Sequence, residues 1–137
     1  MLRKAAGVVA GLGLIGGAGS VAYNQHGDAT VKIKDSSGHV HSVRIAADDG
    51  RSYSCPSGTH KRVAPLDIRL GRIKVTQQGI TASERAIIRR YPNGNKPSVA
   101  VIKRLTTLLH KDERLTKAYN ATVEQHNAII NRLCKPA

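Results

Sequence analysis

From Leu66 onward, the positions that a helix would bury recur at alternating intervals of four and three residues. The row runs Leu66, Leu70, Ile73, Gln77, Ile80, Glu84, Ile87 and Tyr91. It stops at "YPNGNKP", where Pro92 and Pro97 bracket an Asn-Gly turn signal, and resumes at Val101, Leu105, Leu108, Asp112, Leu115, Tyr119, Thr122, His126, Ile129 and Leu133. A seam of this period places one narrow face of a helix against a partner helix. One break between two such stretches predicts an antiparallel helical hairpin, with helices over about 65–91 and 98–134 within residues 64–137. A second row, Ile102, Leu109, Thr116, Val123 and Ile130, widens the apolar face of the second helix.

"GITASE" offers a competing signal. Gly79 could stop a helix, and Thr81 with Glu84 could cap a new one. The four-three rhythm crosses the site without a phase slip, so the pattern favours one continuous helix but does not decide it. A hairpin turning near Gly94 sets Gln77 level with Asp112. These are the polar interruptions of the two seams, and such a layer fixes register.

The same register sets Cys55 level with Cys134, the only two cysteines in the chain. An even cysteine count in an exported chain favours a disulfide, and the absence of Cys-x-x-Cys argues against a redox motif. Cys55 lies in "SYSCPSGTHKR", where Pro56 and Gly58 supply a turn before the first helix. A bridge between Cys55 and Cys134 would close the root of the hairpin.

Residues 24–63 read as a small β region. "TVKIK" and "VHSVRIA" alternate apolar and polar side chains around the turn "DSSGH", and Asp49-Gly50 leads toward a third short strand at "SYSC". A two- or three-stranded meander follows, marginal alone and dependent on packing against the hairpin. The fold class expected is therefore mainly α: a long coiled-coil-like hairpin preceded by a β meander and an N-terminal apolar helix.

That apolar helix is the reading of residues 1–23. Arg3 and Lys4 precede an uncharged run from Ala5 to Tyr23, with Ser20-Val21-Ala22 as a small-x-small cleavage signal. The run is close to the ~20 residues that span a bilayer, although its glycines weaken it as an anchor. Signal peptide and membrane anchor stay open as alternatives. Either leaves residues from Tyr23 onward outside the cytoplasm by the positive-inside rule.

The net charge is +13, with 14 basic and 5 acidic side chains in residues 64–137. Arg69, Arg72, Arg85, Arg89, Arg90, Lys96, Lys103 and Arg104 form the candidate polyanion-binding set. Such a surface attracts anionic lipid, envelope polymers or nucleic acid. The cluster has no interleaved aromatics for base stacking, so nucleic acid is the weaker alternative. A protein partner or an anionic envelope surface is the counterpart expected, with membrane contact through residues 5–23 and oligomerisation through the hairpin also open.

No nucleophile elbow, phosphate-cradling loop or paired-carboxylate motif is present, which argues against an enzyme and calls for no cofactor. His39 and His41 share one strand face but lack the further ligands that zinc requires, so no metal site is expected. His126, on the seam, reads as a packed core histidine. The function expected is that of an exported or membrane-tethered structural or interaction protein of the cell envelope. A nucleic-acid-binding accessory role is the alternative.

Overall fold

The computed structural model describes residues 2–4, 19–48, 53–91 and 95–136. The expected apolar segment at 5–18, the Asp49-Gly50 turn and the Pro92–Gly94 turn lie outside the described residues. Two long helices dominate, α1 (Thr59–Ile88) and α2 (Val99–Leu133), and they pack against each other as a hairpin. A three-stranded antiparallel meander, β1 (Gly19–Tyr23), β2 (Ala29–Lys34) and β3 (Val40–Ile45), precedes them and packs across α1. Two further short strands, β4 (Tyr53–Ser54) and β5 (Lys135–Pro136), pair at the root of the hairpin.

Three elements begin or pair differently from the sequence reading. The end of the expected leader is strand β1, paired with β2 from Gly19↔Ile33 to Tyr23↔Ala29. Among the described residues no N-terminal apolar helix is shown, and Gly19–Tyr23 forms a strand instead. Gly-Ser-Val-Ala-Tyr hides its alternation among small residues, yet Val21 and Tyr23 face the core while Ser20 and Ala22 face out. The small-x-small cleavage signal lies inside this hydrogen-bonded strand. Residues 53–54, expected as a third meander strand, instead pair with residues 135–136.

Helix α1 starts at Thr59 rather than near Pro65. Gly58 adopts φ 88°, a left-handed turn that favours glycine, and Thr59 donates its N–H and hydroxyl back to Pro56. Pro65 sits exposed inside the helix, where its missing donor falls on the solvent side. Helix α1 is continuous through Gly79. Thr81 Oγ1 donates to the Gln77 carbonyl 3.2 Å away, so the hydroxyl that might have capped a new helix is used within the existing one. Ser98 caps α2 by accepting from the Val101 N–H.

The core divides along the hairpin. At the root, Val63, Ile130 and Cys134 are buried with Leu2 packed on them. In the middle, Leu70, Ile73, Leu115, Tyr119 and Val123 meet the inward side chains Val31, Ile33, Val43 and Ile45 of the sheet. At the tip, Ile80, Ile87 and Leu108 close the seam without the sheet. Each fully buried aliphatic side chain contributes roughly 1.5–3 kcal/mol, so the middle section carries most of the packing energy.

Helix and sheet approach each other closely at Gly71. A side-chain carbon there would lie 2.7 Å from Val31 Cβ. The glycine lets α1 approach the central strand.

Candidate functional site

The disulfide Cys55–Cys134 closes the hairpin root across 79 residues, beside the β4–β5 pair. Closure of a loop this long is worth about 4–5 kcal/mol in the chain-entropy account. The bond is consistent with residence outside the reducing cytoplasm. Among the described residues, no helix is long and apolar enough to cross a membrane.

Polar layers separate the three core sections. In the upper one, buried Gln77 donates through Nε2 to Asp112 Oδ1 at 3.1 Å and to Thr116 Oγ1 at 3.2 Å. Burial, together with the nearby Asp112 charge, raises the Glu84 carboxyl above its ordinary value. A one-turn slip of the hairpin would strand these groups in the seam, which is how a polar layer enforces register.

The lower layer was not legible as a site from the sequence. Arg3, Asp67 and His126 are all buried, and Arg3 forks onto the Asp67 carboxylate, with Nε to Oδ1 at 2.9 Å and Nη2 to Oδ2 at 3.2 Å. The Tyr23 hydroxyl donates to Oδ2 at 2.6 Å, and His126 Nε2 stands 3.5 Å from the same oxygen. Burial alone would raise the Asp67 carboxyl, but His126 and Arg3 outweigh it and bring the value down to about 2. Burial and the Asp67 acceptor push the Tyr23 hydroxyl far up, so it stays protonated as a donor. Arg3, read as the charged start of a leader, is thus part of the interior, while Lys4 is exposed.

The candidate polyanion residues fall into two groups. Arg69 and Arg72 lie midway along α1, with Arg69 exposed and Arg72 half-buried. Arg85, Arg89, Arg90, Lys96, Lys103 and Arg104 are all exposed at the tip. From Arg85 to Arg104 the sequence holds no acidic residue.

The same tip exposes aliphatic side chains: Ile88 at 59%, Val99 at 70%, Ile102 at 50% and Leu109 at 46%. Val99, Ile102 and Leu109 share one stripe of α2. The second apolar row is therefore buried at Thr116, Val123 and Ile130 and exposed at Ile102 and Leu109. Val123 joins the middle cluster, Ile130 the root cluster and Thr116 the Gln77 layer, and none of these reaches the tip. A small groove lined by Ile87, Ile88, Tyr91, Pro97, Val101 and Leu105 opens beside the stripe.

The histidines have local roles. His41 pairs with Asp35 at 2.7 Å, and His39 shares a hydrogen bond with Ser37 in the β2–β3 turn. Among the described residues, no three His, Cys, Asp or Glu side chains gather closely enough to hold a metal ion. No protein-family model matches the chain. No curated protein and no solved structure matches it either.

Proposed function

We propose that this chain acts outside the cytoplasm as a structural or interaction protein of the cell envelope, docking through the tip of its helical hairpin onto an anionic lipid surface. The observation that carries the reading is the pairing of exposed Ile88, Val99, Ile102 and Leu109 with six basic side chains, Arg85 to Arg104, in one acid-free region. Aliphatic side chains flanked by Lys and Arg suit an interface in which the apolar groups enter the acyl boundary and the cations meet headgroups. Each cation near an anionic membrane contributes about 1 kcal/mol, so six together support reversible attachment. The disulfide supports the extracytoplasmic setting.

Sedimentation with vesicles of phosphatidylglycerol and phosphatidylcholine tests the reading. Binding is expected to rise with the phosphatidylglycerol fraction and to weaken with salt. It should also weaken in Arg89→Ala/Arg90→Ala and, separately, in Ile88→Ser/Ile102→Ser. Loss in the first variant only would indicate a purely electrostatic contact. Salt-sensitive retention on DNA with none on anionic vesicles would overturn the envelope reading in favour of a nucleic-acid accessory role.

A further inference from the structure

Arg3 is held as a ligand is held. Four of the five N–H donors of its guanidinium have acceptors: two carboxylate oxygens of Asp67, the Gly27 carbonyl at 2.8 Å and the Ile45 carbonyl at 3.1 Å. The side chain is wholly excluded from solvent. Its backbone is held by a separate set of bonds. The Arg3 N–H donates to Asn127 Oδ1 at 2.5 Å, and Asn127 Nδ2 donates to the Arg3 carbonyl at 2.8 Å. Arg3 also bridges Ala47 in antiparallel fashion, and the Asp48 N–H donates to the Leu2 carbonyl.

These are the components of peptide recognition by strand addition. Main-chain bonds align an extended segment, and one pocket reads one side chain. The pocket is specific for a planar, forked cation, because Asp67 accepts two parallel bonds and the two carbonyls accept from the remaining edge. Leu2 packs on the root cluster, so an apolar residue is favoured just before the arginine, whereas Lys4 is exposed and unconstrained. Every group that forms the pocket lies at or beyond Tyr23. Any removal of the chain upstream of β1 would take Arg3 away and leave Asp67 buried without its cation, a costly state that a replacement arginine would relieve.

We propose that this cleft is a binding site for an extended polypeptide segment carrying an apolar–arginine pair, filled in cis by Leu2-Arg3-Lys4 and open to another polypeptide when that segment is withdrawn. The site lies at the root of the hairpin, away from the basic tip, so it stands or falls independently of lipid docking.

The test uses the full chain with Arg3→Ala and two probes. Ethylguanidinium replaces the atoms that the substitution deletes, and it should raise the melting temperature of Arg3→Ala by several degrees at millimolar concentration while leaving the wild-type chain unmoved. The tripeptide acetyl-Leu-Arg-Lys-amide should displace the weakened N-terminal segment of Arg3→Ala and bind at least about tenfold more tightly than its citrulline counterpart, which keeps the shape and loses the charge. Both effects should vanish in Arg3→Ala/Asp67→Asn. Should Arg3→Ala fail to fold, Arg3→Lys retains a cation and takes the same peptide titration with the same preference expected. Equal responses with and without the Asp67 carboxylate, or no preference for arginine over citrulline, would overturn the proposal.

Discussion

Two glycines on helix α1 should respond to the same substitution with opposite signs, and Gly71 is the more demanding test. Replacing a mid-helix glycine by alanine ordinarily gains about 1 kcal/mol of helix propensity. At Gly71 the added methyl would sit 2.7 Å from Val31 Cβ, and closer still to one of its methyl groups. The Val31 Cβ cannot rotate away, because it belongs to the central strand, paired with Val21 on one side and Val43 on the other. Relief therefore requires α1 or the sheet to move, and overpacking of this kind costs about 1–3 kcal/mol. The clash should exceed the propensity gain, leaving Gly71→Ala less stable by about 1–2 kcal/mol. Urea unfolding of the oxidised chain, followed by far-UV circular dichroism, would show a lower midpoint with an unchanged slope. Val31→Ala added to Gly71→Ala should leave the chain more stable than the sum of the two single losses implies, since each substitution makes room for the other. A Gly71→Ala chain as stable as the wild type would refute the close approach of α1 to β2.

Gly79 is exposed and a methyl there meets nothing within 4 Å, so Gly79→Ala should stabilise the chain by about 0.5–1 kcal/mol in the same assay. A loss instead would mean that α1 breaks there. Replacing Cys55 and Cys134 by serine should lower the unfolding free energy by about 4 kcal/mol, from a loop of 79 residues. A loss below about 1 kcal/mol would assign root closure to the β4–β5 pair. Asp67 has its folded value depressed to about 2 from an ordinary 3.8. Its contribution is therefore complete above pH ~4 and fades as pH falls through ~2, amounting to on the order of 2 kcal/mol. Acid titration of stability should be shallower over that window in Asp67→Asn than in the wild type. Identical slopes would show that the carboxylate is not preferentially ionised in the folded chain.

The hairpin was legible because its signal is periodic and local. Leu70, Ile73, Ile80, Leu108, Leu115 and Tyr119 announce their buried face within a few turns of sequence, and one proline-bracketed break announces the reversal. The disulfide followed from that register. Strand β1 was hidden because Gly19–Tyr23 continues an uncharged run, and a run of small residues reads equally as leader or strand. The start of α1 is hidden because the four-three row becomes readable only at Leu66, although the left-handed Gly58 leads into a helix that begins at Thr59. The Arg3–Asp67–His126 layer joins residues at least 59 positions apart, which no local pattern can express. A signal did exist: Asp67 stands between Leu66 and Ile68, and His126 occupies a seam position. An acid and a histidine on buried faces of facing helices need partners, and their register puts them within a turn of each other.

The bond between Cys55 and Cys134 also has a mechanical meaning. It makes a covalent ring of everything from the turn before α1 to the end of α2, while the meander hangs from the ring as a tail. A force applied between the two ends of the chain would first draw Arg3 from Asp67 and Asn127, then peel away the sheet and meet the ring, which shields both helices from the load thereafter. At about 3.5 Å per residue, the 79-residue loop withholds roughly 280 Å of contour length until the bond is reduced. The hairpin tip would keep its shape under tension on the tail, so a load at the N-terminal side need not reach it.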